Sequence, residues 1–373
     1  MHVIGALHGG GAERLLINLV TQRRSGAGDD FVVCARRVGA FWPVLDAAGV
    51  EIIDLGIKWH WNTFRGLFKF VRLIRQRRPA VIQGWGYRAN LLASLALRLA
   101  GRQHTQLIWG IYCSDVPGNV YPWSRFLMFR DLGRIFSRHV DGVIYNAEQA
   151  LTFHRAIGFR EPRALVIPNC LDTVAFQRDP AARDAVRREL GIPNDAVVVV
   201  MAARMDPMKD WAGLLDTVRD LPGVIAMGIG EGTKQLRPQP GFLALGWRDD
   251  VPRIYSAADI FLLTSAFGEG TSLALVEAMA CSLPSVVTDV GGNGTIVGDA
   301  GLVVPPRDVT AARAAVMRLA RDKRLRDAMG EAGRARVAIG HSADHVAGLI
   351  DGLITSVREG RVSGVKPLPA TPR

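Results

Sequence analysis

Short apolar runs alternate with amphipathic stretches along almost the whole chain. The apolar runs have the length of β-strands, and the stretches between them repeat apolar residues at helical spacing. Val197–Val200 is an unbroken β-branched run, which is typical of a strand buried on both faces of a parallel sheet. Strands that alternate with helices in this way predict doubly wound α/β sheets.

The predicted strands fall into two series. In the first half they are His2–Leu7, Phe31–Ala35, Val50–Leu55, Ala80–Gln83, Gln106–Gly110, Val140–Tyr145 and Ala164–Ile167, with helices near 12–24, 41–48, 63–78, 88–100, 123–136 and 147–157. In the second half they are Ala196–Ala203, Val224–Gly228, Phe242–Gly246, Ile260–Thr264, Ser285–Thr288 and Gly301–Val304.

The two series are separated by a break between Asn169 and Asp195. A strand ends at Ile167-Pro-Asn169, and the polar segment Arg178–Ile192 leads into the second series. A chain of 373 residues is expected to form two domains. We therefore predict Rossmann-like domains over 1–170 and 190–340, a last helix over 341–358 and a disordered Pro-rich tail over 361–373.

The charge distribution is uneven. Residues 1–170 hold 22 Lys/Arg and 11 Asp/Glu, whereas residues 171–373 hold 24 of each, so the net +11 lies in the first half. A basic half indicates an anionic partner: nucleic acid, a membrane surface or an acidic substrate. With 40 Arg against 6 Lys, genome composition explains the choice of Arg but not the shortage of acids.

Cysteine spacing and hydropathy narrow the classes of protein to which the chain could belong. The cysteines Cys34, Cys113, Cys170 and Cys281 are too widely spaced for a CxxC zinc site, and they fit a reduced cytoplasm. Residues 1–7 are too short and glycine-rich for a signal peptide, and no apolar run reaches the length of a spanning helix. The sequence therefore predicts a cytoplasmic protein.

The segment Thr264–Cys281 carries the strongest chemical signal. It follows a predicted strand, turns at Gly268 and Gly270, and enters a helix near Ser272, with Thr271 and Ser272 as good capping types. The free N–H groups of a helix N-terminus suit a diphosphate. Glu269 precedes the helix and Glu277 lies within its apolar sequence, where a carboxylate needs a partner. These carboxylates could accept hydrogen bonds from a sugar and a ribose, or they could simply be solvated.

This segment resembles the Glu-x7-Glu signature of the retaining glycosyltransferases of family 4, which have the GT-B fold. Five other stretches resemble motifs of that family in the same order: Gly9–Arg14, Val166–Asp172, Ala202–Asp210, Leu245–Val251 and Ser285–Asn293. The resemblance covers about residues 2–340. It implies an α/β GT-B fold with two Rossmann-like doubly wound parallel-sheet domains facing a cleft, the first binding the acceptor and the second the nucleotide sugar. It also implies that the last helix packs back on the first domain.

The resemblance assigns roles to particular residues. Arg204 and Lys209 follow the long valine strand and would neutralise the leaving nucleoside diphosphate in place of a metal ion. Glu269 would position the transferred sugar. The remaining residues expected to bind the donor are Glu277, Gly270, Thr271, Ser272, Leu273, Gly10 and Gly11. No metal is expected, because Arg204 and Lys209 would take its place. No cofactor is expected either, because the nucleotide sugar is a co-substrate.

Three stretches have alternative interpretations. Gly228-Ile-Gly-Glu-Gly232 fits a nucleotide loop or a tight turn after a strand, and Gly9–Gly11 fits a ligand loop or a tight turn. Relatives often have a histidine near the end of the fifth strand, where Ile108–Asp115 has none. That departure leaves the acceptor-side polar residue open, with Ser114 and Asp115 as candidates or as turn formers.

The stretch Lys58–Arg78 is basic and aromatic. Its apolar residues recur at helical spacing with Arg and Lys between them, which fits an interfacial helix on anionic lipid or an ordinary surface helix. Trp59 and Trp61 add to the membrane interpretation, and no nucleic-acid-binding motif is present.

Together these patterns predict a metal-independent retaining glycosyltransferase. It would use a nucleotide-diphosphate sugar and a lipid-linked or cell-envelope glycan acceptor, on the inner face of the cytoplasmic membrane. A catalytically silent GT-B partner subunit and a nucleotide-sugar epimerase are the alternatives. The intact Arg204, Lys209, Glu269 and Glu277 set argues against the silent subunit, and the Glu-x7-Glu segment argues against the epimerase.

Overall fold

The fold consists of two compact units in a computed structural model that describes residues 1–8, 11–22, 30–39, 41–57, 63–102, 104–115 and 128–358. The first unit joins Met1–Cys170 to the segment that begins at Ala343, and the second unit is Leu171–Ser342. Residues 171–189, which the sequence left between the predicted domains, therefore belong to the second unit. Gly10, Trp59, Trp61 and the tail 361–373 lie outside the described residues.

The first unit is built on a seven-stranded parallel sheet. The strands are β1 (His2–Ile4), β2 (Phe31–Cys34), β3 (Glu51–Asp54), β4 (Val81–Trp85), β5 (Gln106–Ile111), β6 (Gly142–Tyr145) and β7 (Ala164–Val166). Their order in the sheet is β3-β2-β1-β4-β5-β6-β7, so the direction of winding reverses between β1 and β4.

Helices cover both faces of this sheet. They are α1 (Gly11–Gln22), α2 (Trp42–Ala47), α3 (Thr63–Arg77), α4 (Tyr87–Ala100), α5 (Gly133–Ser137) and α6 (Glu148–Ala156), with a π-helical turn over Met128–Leu132. One apolar core lies between the sheet and α3, α4 and α6. The other lies against α1, α2 and the helix Ala343–Arg358, which contributes Val346, Ile350, Leu353 and Val357.

The second unit repeats this architecture with six parallel strands. They are β8 (Val197–Ala202), β9 (Val224–Ile229), β10 (Phe242–Gly246), β11 (Ile260–Leu263), β12 (Ser285–Thr288) and β13 (Gly301–Val304). Their order in the sheet is β10-β9-β8-β11-β12-β13. Val198, Val199 and Val200 of β8 are fully buried, as the unbroken valine run predicted. The winding reverses between β8 and β11.

Seven α-helices surround this second sheet among the residues that the structure describes. They are α7 (Pro180–Glu189), α8 (Trp211–Val218), α9 (Val251–Ala257), α10 (Leu273–Ala280), α11 (Asn293–Val297), α12 (Val309–Arg321) and α13 (Lys323–Gly340). The polar segment Arg178–Ile192 is thus largely helical. Its Arg187 is buried and pairs with Asp259 at 2.6 Å, while Arg183 pairs with the same carboxylate at 2.7 Å.

The predicted fold class is confirmed, because both sheets are entirely parallel and doubly wound. Of the helix predicted over 123–136, residues 123–127 lie outside the described residues, and the described part is the π-helical turn followed by the short α5. The strand predicted over Val50–Leu55 is shorter, at Glu51–Asp54. In the described part of the chain, no helix combines the length and hydropathy needed to cross a bilayer.

Candidate functional site

The predicted donor residues of the second unit gather at the carboxyl ends of β8 and β11. These two strands are neighbours in the sheet, and the winding reverses between them. A crevice forms at such a point because the connections on either side lead to opposite faces of the sheet. Arg204 and Lys209 follow β8, and Glu269 follows β11.

Lys209 and Glu269 form a buried ion pair. The Lys209 Nζ lies 2.5 Å from the Glu269 Oε1, and the two side chains are only 12% and 5% exposed. Ser265 donates a second hydrogen bond to the same oxygen, also at 2.5 Å. The structure thus brings two predicted catalytic residues into direct contact, sixty residues apart in sequence.

Arg204 is held at the same strand end by Asp206. Its Nε and Nη2 lie 3.3 Å and 3.0 Å from the Asp206 Oδ2, with half of the arginine side chain exposed. Burial raises the pKa of Asp206, but hydrogen bonding from the Met208 N–H and the charge of Arg204 outweigh it, so the pKa lies below its ordinary value. The carboxylate therefore stays charged and fixes Arg204 beside the strand.

The loop that carries Lys209 is tied to β11 by a threonine. The Thr264 hydroxyl donates to the carbonyls of Lys209 at 3.2 Å and Asp210 at 3.0 Å. The Ala266 N–H donates to the Met208 carbonyl at 2.8 Å. These bonds fix the backbone on both sides of the Lys209–Glu269 pair, so the pair's geometry follows from the strand ends.

The loop that carries Glu269 is buttressed by the turn after β12. A Cβ at Gly291 would lie 1.6 Å from the Glu269 carbonyl oxygen, and the backbone there has φ +55°. Only glycine accommodates both the contact and the conformation. The Gly292 N–H donates to the Gly270 carbonyl at 3.1 Å, and the Thr288 hydroxyl donates to the Ser265 carbonyl at 2.6 Å. This is the physical reason for the predicted glycine turn.

The N-terminus of α10 opens directly after this loop. Ser272 occupies the N-cap position, and no side-chain hydrogen bond caps the helix there. Thr271, Ser272 and Leu273 are all buried. The first N–H groups of a helix have no intrahelical acceptor, and together with the dipole they favour an anion.

Glu277 lies on α10 and is almost fully buried, at 4% exposure. One turn further along the chain lies Cys281. Burial raises the pKa of its thiol to about 12; the Glu277 charge raises it further, and the Arg334 charge lowers it. A buried carboxylate inside an apolar helix is the arrangement that the sequence indicated.

The glycines of 228–232 have a structural explanation. A Cβ at Gly230 would lie 1.9 Å from the Ala203 carbonyl oxygen, with φ +141°, so glycine lets the ends of β8 and β9 approach. At Gly228 a Cβ would meet the ring of Phe242 at 2.7 Å. These contacts favour the tight-turn interpretation of the motif over a nucleotide loop.

The remaining predicted residues lie in the first unit. Gly11 begins α1 after β1, whereas Gly10 is outside the described residues. The Ser114 hydroxyl donates to the adjacent Asp115 at 2.9 Å, which agrees with the turn-forming alternative. Among the described residues, no group of three or more His, Cys, Asp or Glu could hold a metal ion.

Sequence reasoning missed the residues that support the site. Ser265 bonds to Glu269, Asp206 fixes Arg204 and Thr264 joins the two loops. All three lie at or close to the end of a buried strand, and that position could have marked them as site residues in the sequence. A short polar side chain there is within reach of the neighbouring strand end.

Two family models match consecutive parts of the chain. The glycosyl transferase 4-like domain matches residues 10–170, and the glycosyl transferases group 1 model matches residues 182–336. Between them they include most of both units.

Curated relatives share limited identity with the chain. The UDP-Gal:alpha-D-GlcNAc-diphosphoundecaprenol alpha-1,3-galactosyltransferase of Escherichia coli is 23% identical over 70% of this chain and 71% of its own length. The D-inositol 3-phosphate glycosyltransferase of Mycolicibacterium smegmatis is 30% identical, but the match covers 44% of this chain and only 40% of that relative.

Solved structures match nearly the whole fold. Anabaena Alr3699/HepE in complex with UDP and glucose is similar with a TM-score of 0.81, at 20% identity over 95% of this chain and 99% of that one. WaaG, a glycosyltransferase involved in lipopolysaccharide biosynthesis, has a TM-score of 0.69 at 15% identity over 98% of this chain and 100% of its own.

Proposed function

We propose a function for this chain, which belongs to the group 1 glycosyltransferases with the GT-B fold: it transfers a sugar from a nucleotide-diphosphate sugar to a lipid-linked or cell-envelope glycan acceptor, with retention at the anomeric carbon. The observation that carries the proposal is the convergence of Lys209, Glu269 and the α10 N-terminus at the β8/β11 reversal.

In the proposed reaction the second unit binds the departing nucleoside diphosphate. Lys209 and Arg204 supply positive charge at one strand end, and the α10 N-terminus, with Gly270, Thr271, Ser272 and Leu273, supplies N–H groups. Groups already fixed in a protein stabilise the charge that develops on a leaving group without reorganisation at the moment of reaction. With two cations at this place, we propose that the diphosphate departs without a metal ion.

We assign Glu269 to the transferred sugar and Glu277 to the ribose. Glu269 keeps one oxygen on Lys209 and Ser265, and its other oxygen can accept a bond from a sugar hydroxyl. Glu277 lies about one turn into α10, eight residues after Glu269, so it would meet a different part of the donor. Gly10 and Gly11 of the first unit are proposed to approach the donor as well.

Retention is proposed to follow from attack on the face that the diphosphate leaves. A double displacement needs a carboxylate at the anomeric carbon on the acceptor side. Glu269, the carboxylate nearest this chemistry, already holds Lys209, and the resemblance to retaining members favours assistance by the leaving phosphate.

The relatives suggest the class of acceptor. The Escherichia coli relative is named for a sugar linked through a diphosphate to undecaprenol, and the mycobacterial relative for D-inositol 3-phosphate. We propose that this chain likewise uses an acceptor that carries phosphate, held at the cytoplasmic face of the membrane.

A surface of the first unit supports attachment to anionic lipid. The helices α3 and α4 pack together and contain no Asp or Glu, and α3 has five Arg or Lys. Phe64 and Phe68, one turn apart on α3, are 72% and 70% exposed, and Leu95 and Leu99 of α4 are exposed too. Apolar side chains among basic ones are typical of interfacial helices.

Membrane attachment is tested by vesicle sedimentation. Phe64→Ser with Phe68→Ser should reduce binding to phosphatidylglycerol vesicles at least tenfold, and phosphatidylcholine vesicles should bind weakly. The matched control is Val174→Ser with Ile339→Ser in the second unit, which removes two equally exposed apolar side chains. Equal binding by both double variants would contradict the proposed surface.

The donor site is tested by calorimetric titration of UDP, GDP and their sugars in EDTA, together with sugar transfer or donor hydrolysis. One nucleotide should bind, Lys209→Ala should weaken it at least tenfold, and the matched control Lys323→Ala, an exposed lysine of α13, should leave it unchanged. Glu269→Gln should abolish turnover with the nucleotide still bound.

The same measurements separate the alternatives. Nucleotide binding without turnover in the unaltered chain, with membranes and extracted lipid present, would indicate the silent partner subunit. Conversion of the donor sugar to its epimer without an acceptor would indicate the epimerase. Nuclear magnetic resonance of the product reports its anomeric configuration, and inversion would refute the retaining mechanism.

A further inference from the structure

The residue between Lys209 and α8 has an unusual backbone conformation. Lys209 ends a short 3₁₀ turn, Pro207–Lys209, and α8 begins at Trp211, so Asp210 joins the two. Its φ is +48° and its ψ is +59°. This is the left-handed region, which few L-residues adopt readily, aspartate and asparagine among them. The left-handed residue keeps the turn from continuing into the helix, so Lys209 lies on a turn of its own.

The Asp210 side chain holds this conformation in place. Its Oδ1 accepts a hydrogen bond from the Gly213 N–H at 3.0 Å, which makes Asp210 the N-cap of α8. A Cβ at Gly213 would lie 2.5 Å from the Asp210 Oδ2, so glycine at that position leaves room for the carboxylate. Both carboxylate oxygens therefore lie over the first turn of α8.

The backbone on either side of Asp210 is also fixed. The Thr264 hydroxyl, buried at the end of β11, lies 3.0 Å from the Asp210 carbonyl oxygen and 3.2 Å from the Lys209 carbonyl oxygen. The indole of Trp211, buried as well, donates to the Arg204 carbonyl at 3.1 Å. Asp210 is thus the point at which the loop that carries both cations is joined to α8 and to the neighbouring strand.

The Lys209 ammonium depends on this backbone for its place. Lysine has a flexible stem, so the position of its ammonium follows from where the stem begins. Lys209 meets Glu269, sixty residues away in sequence, in a pair whose side chains are only 12% and 5% exposed. A change of φ at Asp210 would turn the peptide that follows Lys209 and displace the start of the stem. The buried pair would then be lengthened or lost.

We propose that Asp210 is a positioning residue, whose left-handed conformation and carboxylate hold Lys209 against Glu269 and so in place to receive the diphosphate. The inference rests on the proposed function, because Lys209 is a phosphate ligand only if the chain binds a nucleotide sugar. Asp210 acts through Lys209 and not as a ligand, since its carboxylate is engaged with α8. Glycine could supply the conformation alone, and asparagine could supply both the conformation and the cap.

The test compares three substitutions by calorimetric titration of the full chain with whichever of UDP or GDP binds. Asp210→Asn tolerates the left-handed region and keeps an oxygen for the cap, so the affinity should stay within threefold. Asp210→Val loses the cap and strongly disfavours a positive φ, so it should weaken binding at least tenfold. Asp210→Gly keeps the conformation without the cap and should fall between the two.

Two matched controls separate positioning from a general loss of stability. Asp220 follows the other end of α8 and also has a positive φ, at +53°. Asp220→Val imposes the same backbone conflict away from Lys209 and should leave the affinity within threefold. Asp322 caps α13 by accepting from the Leu325 N–H at 2.9 Å, and Asp322→Ala removes this cap with the same expected result.

The role of Lys209 is tested by combining substitutions. In the Lys209→Ala background, Asp210→Val should weaken binding by less than a further threefold, because the side chain that Asp210 positions is gone. A tenfold loss that persists in this background would overturn the proposal, as would equal affinities of Asp210→Val and Asp220→Val. If the valine variants do not fold, Asp210→Ala and Asp220→Ala are compared in the same way.

A second measurement does not need a nucleotide. If neither UDP nor GDP binds the unaltered chain, the proposed function fails separately, and the Lys209–Glu269 coupling measured by urea denaturation still tests the positioning role. Asp210→Val should reduce that coupling by at least half, whereas Asp220→Val should leave it unchanged. An undiminished coupling in Asp210→Val would overturn the inference.

Discussion

The buried ion pair between Lys209 and Glu269 should make the second unit sensitive to the loss of either charge. In Lys209→Met, the Glu269 carboxylate loses the lysine and keeps the hydrogen bond from the Ser265 hydroxyl. In Glu269→Gln, the Lys209 ammonium loses the negative charge that faces it. Each single variant should therefore be clearly destabilised at pH 7, while removal of both charges should cost much less.

The size of the effect follows from the burial of the two groups. Breaking a buried pair by removing one partner costs about 3–5 kcal/mol. Because Lys209 remains 12% exposed, the lower end applies, about 3 kcal/mol for each single variant. For a domain of this size that is a fall in Tm of about 6–12 °C. The double variant should lose about 1 kcal/mol, since two neutral side chains leave no buried charge.

Urea denaturation followed by circular dichroism, with scanning calorimetry alongside, gives the four free energies of a double-mutant cycle. The matched control is Lys323→Met with Asp327→Asn, an exposed pair at 2.6 Å on one face of α13. Its coupling should be about 0.3–0.5 kcal/mol. A Lys209–Glu269 coupling as small as this would refute the view that the pair is desolvated.

Three further predictions concern other parts of the molecule. Gly291→Ala places a Cβ against the Glu269 carbonyl and should weaken nucleotide binding at least tenfold by titration, whereas Gly340→Ala, which meets no atom within 4 Å, should not. Burial lowers the pKa of His154 to about 4, so as the pH falls the unfolded chain takes up a proton at this residue before the folded chain does. The free energy of unfolding, measured by urea titration, should therefore fall by about 2 kcal/mol between pH 7 and pH 5. His154→Gln should remove this pH dependence. Burial raises the thiol pKa from 9.0 to about 11 in Cys34, Cys113 and Cys170, and to about 12 in Cys281. Because the thiolate is the reactive form, the native chain should react with iodoacetamide at pH 8 about a hundredfold more slowly than the unfolded chain. Equal rates would contradict this.

Periodicity was sufficient to predict the fold class. The run Val197–Val200 is typical of a strand covered on both faces, and regular alternation with helices favours parallel crossovers. The strand order was not predicted, because alternation of strands and helices does not say which strands are neighbours. Element ends were less predictable: β3 is shorter than its apolar pattern, because the pattern does not fix the residue at which strand pairing ends.

The contacts inside the candidate site could not be predicted in the same way. The sequence placed Lys209 and Glu269 at two strand ends, but their pairing depends on which strands are neighbours. Ser265 and Asp206 act through side-chain geometry that spacing does not encode. Gly291 is the instructive case, because its need for glycine comes from the Glu269 backbone and becomes apparent only in three dimensions.

The return of the chain to the first unit at Ala343 has a consequence for synthesis. Four residues of the last helix complete a core whose other buried members lie within the first 170 residues: Val346, Ile350, Leu353 and Val357. The ribosome therefore makes the two parts of this core separately, with the whole second unit between them. At ordinary translation rates that interval lasts roughly 10–40 s. During it the nascent first unit presents uncovered apolar side chains of β1, β2 and α1, while the contiguous second unit can already fold as it emerges. Cotranslational folding should thus run against the order of the sequence, with the first unit finished last and dependent on chaperones until then.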